Sequence, residues 1–289
     1  MIPGRALYTA ARDIGFAYIQ GLPGDQSLGR AVRARLLAIF ALDDAQKRRL
    51  YRRKFSPENR NIYRGWFPLQ PGNLTYKEGI DIGGDVAHGA GITVPGDPLR
   101  ESSPLPGDEQ LPGWRAAVAA YYRTMEQVAG ALMRSLARSL DLSQDYFDES
   151  FRHGLSTLRL IRYPPRDVAE FATGTAQDGV GGLQARSRDG RWIDVPPLEG
   201  TLVVNFGQVL EQWSAGRIRA TEHRVLGSDV ERYSIPFFYE ARADATIAPL
   251  PIDPPDRFAP FQYGDFLWKR MTSFVEFRGM EGERRRTNR

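Results

Sequence analysis

The chain has 289 residues, no cysteine and three histidines, with 42% hydrophobic and 11% aromatic residues. Without cysteine there is no disulfide framework, no thiolate nucleophile, no Cys-based zinc site and no Cys-ligated iron–sulfur cluster, and the apolar content suits a packed core better than disorder. Lys and Arg number 39 against 35 Asp and Glu, but Arg284-Arg285-Arg286-Thr287-Asn288-Arg289 holds four of those cations; the body is neutral, and it has no clustered basic face of the kind a nucleic-acid reader carries.

Apolar stretches such as Thr201–Phe206 fall far short of the ~20 residues of a membrane span. The N-terminus has no long apolar run, so no secretory signal is expected and a cytoplasmic protein is. The length suits one domain. It divides into a helical and loop-rich part over 1–112 and a second part over 113–289, made of a long helix, a strand-rich core and a C-terminal helix.

In chain order, Ala6–Asp13 has a short helical pattern and Gly15–Ile19 reads as a strand. Val32, Leu36, Leu37, Ile39 and Phe40 give an apolar stripe that predicts one helix from Ser27 to about Tyr51. From Phe55 to Pro112, Gly, Pro and Asn are frequent and periodicity is poor, so a long ordered loop region with short strands is expected; such loops are often functional. The clearest helix runs from Trp114 to Leu140, with apolar residues three or four apart from Trp114 through Val118, Tyr121, Met125, Val128, Leu132 and Leu136. At 1.5 Å per residue it is about 40 Å long.

After Ser156 the texture is that of short strands. Leu158–Tyr163 stops at Pro164-Pro165. Gly182–Arg186 and Trp192–Val195 flank a turn at Asp189-Gly190 and read as a hairpin. Thr201–Phe206, His223–Leu226 and Tyr233–Tyr239 follow, and after a proline-rich connector Asp265 caps a last helix carrying Phe266, Leu267, Met271, Phe274 and Val275. Regular strands with turn signals suggest an antiparallel sandwich or barrel. The fold class expected is mainly β with supporting α.

Three histidines keep the search for chemistry short. His88 lies in a Gly-rich loop, His153 between a helix and a strand, and His223 at the start of a strand. Each taken alone reads as a surface or hydrogen-bonded histidine. No His-x-Asp, His-x-Glu or His-Glu-x-x-His occurs, no Gly-x-Ser-x-Gly elbow and no P-loop. Arg232 and Ser234 are two apart on a strand and share a face. A guanidinium beside a hydroxyl suits a carboxylate, although Arg-x-Ser alone equally describes an exposed polar strand face.

An ordered set of segments goes further: Asp13-Ile-Gly-Phe-Ala-Tyr18, Arg64-Gly-Trp-Phe67, Lys77-Glu-Gly-Ile-Asp-Ile-Gly83, Leu158–Pro165, Gly181-Gly-Leu-Gln184, Trp192–Pro197, Gly200–Gly207, His223-Arg-Val and Arg232–Phe238. Along nearly its whole length the chain resembles the isopenicillin N synthase-like group of non-haem iron oxygenases, often 2-oxoglutarate-dependent. The resemblance implies a double-stranded β-helix, or jelly roll, with the long helix packed against it. It implies Fe(II) and 2-oxoglutarate as metal and cosubstrate, a small-molecule substrate, and neither nucleic-acid nor membrane partners. By the same likeness His223 matches the distal iron-binding histidine, and Arg232, Ser234 and Tyr163 match the group that holds the 2-oxoglutarate carboxylate, or a substrate carboxylate in the oxidase branch that uses no 2-oxoglutarate. Arg159 lies an even number of positions from Tyr163 and becomes a substrate-pocket candidate, with a buried ion pair as its other role. Arg64 and Lys77 are candidates for the pocket mouth.

One departure is plain. The family places His-x-Asp between the Tyr-Pro-Pro segment and Gly-Gly-Leu-Gln, whereas Arg166–Gly182 contains no histidine. A block of roughly 20 residues, two strands and a turn, is expected to be missing at the Gly179–Val180 join. The start also looks clipped, with Ile2-Pro3 all that remains of an opening strand. Either a longer enzyme carries the absent segment, or this is a ligand-deficient relative that binds a carboxylate without oxygen chemistry. The first is favoured, because the retained His223, Arg232, Ser234 and Tyr163 presume a metal partner, and because removing two strands leaves costly open edges.

Overall fold

The computed structural model describes residues 4–22, 29–70, 76–165, 182–226, 229–252, 258–274 and 276–284. Helix α1 (Gly4–Asp13) turns into strand β1 (Phe16–Ile19) through Gly15. Gly15 has φ +75°, and a Cβ there would lie 2.3 Å from Thr221 Oγ1 and 2.6 Å from the Arg219 carbonyl, so only glycine fits the turn. The helix expected over Ser27–Tyr51 is two, α2 (Arg30–Leu37) and α3 (Asp44–Arg49), joined by a tighter turn at Ala38–Ala41. The cause is local. Asp43 accepts from the Gln46 N–H at 2.7 Å while the Gln46 side chain accepts from the Asp43 N–H at 3.0 Å, a capping box that starts a new helix.

The loop-rich stretch contains β2 (Gly65–Phe67), β3 (Glu78–Ile82) and the short α4 (Asp85–His88). Then come α5 (Trp114–Ser139), α6 (Asp148–Phe151), β4 (Thr157–Tyr163), β5 (Leu183–Arg186), β6 (Trp192–Asp194), β7 (Leu202–Asn205), α7 (Gln208–Trp213), β8 (His223–Val225), β9 (Arg232–Ser234), β10 (Phe237–Phe238), β11 (Thr246–Ile247), β12 (Phe261–Gln262) and α8 (Tyr263–Met271). Sheets and helices both build the molecule. Helix α8 is capped at Gln262 and not at Asp265, which sits in the first turn and pairs with Arg284; Phe274 lies past the helix end, and Val275 lies outside the described residues.

Antiparallel strands form a five-stranded sheet in which β4 is central: β3 and then β2 lie on one side, β9 and β10 on the other. Period-two alternation sorts its residues. Trp66, Ile80, Ile82, Leu158 and Leu160 face Trp114, Val118, Tyr121 and Tyr122 of α5 and are fully buried or nearly so. The opposite face carries Phe67, Asp81, Arg159, Tyr163, Arg232 and Ser234 by register. The later turns of α5 (Val128, Leu132, Leu136) pack instead with Leu7 and Ala11 of α1 and with Leu267 and Trp268 of α8.

A three-stranded sheet β6-β5-β8 and a pair β1-β7 complete the main strand layers, with β11-β12 as a small ribbon. Among the described residues β7 pairs with β1 alone, β8 with β5 alone and β9 with β4 alone. A cavity of about 1080 Å³, lined in part by Phe16, Tyr18, Val203, Ala185 and Ile193, lies between the β1-β7 pair and the β5-β6 hairpin.

Candidate functional site

Cross-strand register sets the first half of the site. Tyr163 lies opposite Arg232, and Ile161 opposite Ser234, so Tyr163, Arg232 and Ser234 project from one face of the β4-β9 pair. Arg232 and Ser234 are each 2% exposed. The Arg232 guanidinium carbon sits 4.6 Å from the Tyr163 ring centroid, a cation–π contact. Its Nη1 donates to the Leu226 carbonyl at the end of β8 (3.4 Å), and Gly182 at the start of β5 lies just beyond it. A buried guanidinium against an aromatic ring, with a hydroxyl two residues away, is a grouping whose chemistry suits a carboxylate.

His223 and the Arg232–Ser234 pair do not stand on neighbouring strands of one sheet. β8 belongs to the three-stranded sheet and β9 to the five-stranded one; Arg232 bridges from one to the other. His223 is half-buried. Its Nδ1 lies 3.0 Å from the Thr221 carbonyl, which can only accept, so Nδ1 carries the proton and Nε2 is left as the donor atom for a metal. The ring packs edge-on to Phe16 (5.5 Å), and its cross-strand partner is Ala185.

Arg159 shares the face of Tyr163, as its spacing predicts, and its contacts are those of the alternative role, the buried ion pair. It donates to Asp81 through Nε and through Nη2 at 2.8 Å, and Arg52 donates to the same carboxylate from the other side. Asp81 and Arg52 are completely buried. Burial opposes the Asp81 charge, and Arg159 and Arg52 outweigh it, holding its pKa below the ordinary carboxylate value. Arg159 keeps 15% of its side chain exposed, between the rings of Phe67 and Phe238 (5.5 and 5.4 Å). Gly79 makes this arrangement possible: a Cβ there would come within 2.7 Å of Phe67 Cζ and 2.3 Å of the Leu160 carbonyl. Arg64 is not at a pocket mouth; it is buried and donates to Thr157 Oγ1 and the Leu155 carbonyl. Lys77 pairs with Glu276 at 3.3 Å, and burial lowers its pKa.

Sequence reasoning did not single out Asp81, Arg52, Phe238 or Glu240. The even spacing of Lys77, Gly79 and Asp81 is a signal for the shared face, but a partner as distant as Arg159 is not readable from spacing. Glu240 has its Oε2 buried without a hydrogen-bond partner, and burial raises its pKa to about 8.

The metal half of the site is incomplete. No group of three His, Asp or Glu among the described residues could hold a metal ion. The remaining histidines lie together elsewhere: His88 Nε2 is 2.7 Å from Glu126, its ring is 5.9 Å from that of His153, and it abuts Tyr122. The expected join lies outside the described residues. In the 289-residue chain Gly179 is followed directly by Val180, and 166–181 contains Asp167, Glu170 and Asp178 but no histidine. The residues present therefore suit the 2-oxoglutarate carboxylate and do not supply a two-histidine, one-carboxylate face for Fe(II).

Comparison with known proteins bears on the same residues. The model of the 2OG-Fe(II) oxygenase superfamily matches residues 142–241, from α6 through β10. Isopenicillin N synthase of Streptomyces clavuligerus is 26% identical over 81% of this chain and 79% of its own length. A proline hydroxylase of Petromyces alliaceus is 28% identical over 84% of this chain and 83% of its own; the alignment runs over 279 positions, so that relative carries stretches with no counterpart here. Among solved structures, the rice dioxygenase for auxin oxidation superposes with a TM-score of 0.69 at 26% identity, covering 93% of this chain and 90% of that one. A full-length Neurospora crassa protein crystallised in complex with alpha-KG superposes with a TM-score of 0.77 at 23% identity, covering 93% and 90%. The chain is thus similar, over residues 142–241 by the family model and over most of its length by its relatives, to oxidoreductases of the 2OG-Fe(II) oxygenase superfamily.

Proposed function

We propose that Arg232, Ser234 and Tyr163 hold the distal carboxylate of 2-oxoglutarate, and that the chain is a jelly-roll oxygenase working on a small molecule by hydroxylation or desaturation. The observation that carries this is the register that sets Arg232 opposite Tyr163 and Ser234 two residues on, on one face of the β4-β9 pair, a guanidinium, a ring and a hydroxyl grouped as a carboxylate site requires. His223 would present Nε2 to the metal. The substrate would lie along the same sheet face, where the exposed Phe238 and the edge of Arg159 offer a flat, partly apolar floor; Arg159 contributes as the ion pair with Asp81 that stiffens that floor. No helix of the described residues is long and apolar enough to cross a membrane.

The test is direct. 2-Oxoglutarate raises the melting temperature of the chain, and Arg232→Met removes that shift. With Fe(II) supplied in excess, succinate appears from 2-oxoglutarate when a substrate is present. Substrate oxidation without succinate assigns the chain to the oxidase branch, which the similarity to isopenicillin N synthase makes the second reading. No thermal shift and no succinate refute the carboxylate assignment.

A further inference from the structure

The cavity between the β1-β7 pair and the β5-β6 hairpin is separate from the residues assigned so far: none of Tyr163, His223, Arg232 and Ser234 lines it. Its floor is helical. Ala6, Leu7 and Ala10 come from α1, and Val128 and Ala131 from α5. Phe16, Tyr18 and Val203 form one wall, and Ala185, Ile193 and Val195 the other. Its volume of about 1080 Å³ is enough to enclose a small molecule.

The mouth of the cavity is apolar as well. Of the eight large apolar residues exposed among the described ones, four line this one space: Ile14 (56% exposed), Tyr18 (39%), Ile193 (52%) and Leu198 (50%). Single exposed apolar side chains are ordinary, whereas a gathered patch rimmed by polar groups marks a surface that binds something. The Tyr18 hydroxyl donates to the Pro196 carbonyl at 2.6 Å and so ties the exit of the hairpin to β1.

Charge at the rim is unevenly neutralised. Asp13 accepts from Arg12 through both oxygens, at 2.8 and 3.0 Å. Arg186 pairs with Glu222 at 2.8 Å. Asp194 accepts from Gln184, its register partner, on the face of the hairpin away from Ala185 and Ile193. Arg188 and Arg219 also line the cavity, and their hydrogen bonds among the described residues go to backbone carbonyls alone. Arg188 Nη2 donates to the Arg12 carbonyl at 3.1 Å, and Arg219 Nη1 to the next one, of Asp13, at 3.5 Å; Arg219 Nη2 reaches the Arg186 carbonyl at 3.4 Å. These contacts cap the end of α1. They occupy one N–H of Arg188 and two of Arg219, where a guanidinium has five. Two cations thus stand over consecutive carbonyls at the edge of an apolar space, with donors left over and no carboxylate joined to either.

We propose that this cavity is a second binding site, for a monocarboxylic acid with a long apolar body. The apolar walls cover the body, and the carboxylate pairs with Arg188 and Arg219 at the end of α1. An uncharged apolar molecule would leave both guanidiniums without a counter-ion, and a dicarboxylate would set its second charge against Leu7, Val128 or Val203. The assignment stands apart from the reading of Arg232, Ser234 and Tyr163.

Calorimetric titration of the full chain with decanoate below its micellar concentration, and with decanol, tests this. Decanoate is expected to bind one to one and at least about tenfold more tightly than decanol, as hydrogen bonds to a charged group require. Arg219→Met and Arg188→Met, the second at an exposed position with a single bond to lose, should each weaken decanoate about tenfold and leave decanol unchanged. Ala131→Phe, an exposed position on α5, fills the cavity and should weaken both ligands. An excess of 2-oxoglutarate should leave the decanoate affinity as it is. Absence of decanoate binding, equal affinity for acid and alcohol, or full decanoate affinity in both arginine variants overturns the proposal. Competition between decanoate and 2-oxoglutarate overturns it too, by placing the acid at the other carboxylate position. A dimer that Ile193→Asp splits in sedimentation velocity, in a chain that takes up no decanoate, gives the apolar mouth to a second copy instead.

Discussion

Glu240→Gln gives the sharpest test of the buried polar network. Glu240 follows β10. Its backbone N–H donates to Ser156 Oγ at 3.1 Å, while its carboxyl Oε2 is buried and has no hydrogen-bond partner. Burial raises its pKa to about 8; Arg64 and Arg159 pull against that rise and are outweighed, and Asp81 adds to it. The ordinary glutamate value is 4.5. Between those values the folded chain keeps a proton that the unfolded chain has released, so the folded state binds more protons and its stability falls as pH rises. The slope is about 1.4 kcal/mol per pH unit, and over the whole interval the loss amounts to roughly 4–5 kcal/mol. Glutamine has nothing to titrate. Urea unfolding of the two proteins from pH 5 to 8.5 should therefore give curves that diverge, the glutamine variant gaining on the parent by nearly the full slope at each step until pH 8. Parallel curves would refute the reasoning, since every other titrating group cancels in the difference.

Asp81→Asn leaves Arg52 and Arg159 buried and facing a neutral amide, and is expected to cost about 3–5 kcal/mol in chemical denaturation. Because the folded Asp81 pKa is depressed, its contribution is fully present above the unfolded value near 3.8 and disappears as pH falls through the folded one; the asparagine variant should lack that acid limb. Gly15→Ala should cost roughly 2–4 kcal/mol, combining a left-handed backbone with overlap against Thr221 and the Arg219 carbonyl. Gly21→Ala, also at positive φ (+65°) but with nothing within 4 Å of the added carbon, should cost only about 1–2 kcal/mol. Equal melting temperatures for the two glycine variants would contradict the contacts at Gly15.

Those contacts illustrate what the sequence reveals and what it hides. The long helix is legible because its apolar positions recur every three or four residues for seven turns; Trp114 to Leu140 is expected and Trp114–Ser139 found. β4 and the β5-β6 hairpin are legible because alternation and an Asp-Gly turn are local signals. Arg232, Ser234 and Tyr163 are brought together as the period-two rule and the family likeness require. Pairing is another matter. Nothing local places β3 beside β4, since Asp81 meets Arg159 across 78 positions of sequence. For the same reason β8 and β9, close in sequence, fall in different sheets. The break between α2 and α3 is encoded in Asp43 and Gln46, and an apolar stripe that runs up to it masks the signal.

Helix α5 belongs to both large apolar clusters, its first turns to one and its later turns to the other. The small cluster under His223, made of Phe16, Leu183, Ala185 and Val225, has no α5 member. In amide-exchange terms this separates the site into two levels of protection. The backbone of β4 and its neighbours, which carries Tyr163, Arg232 and Ser234, is expected to open only when α5 lets go. The β6-β5-β8 sheet is expected to open without either. The half of the site proposed to hold an anion is thus expected in the better protected structure, and the half that would hold a metal in the less protected one.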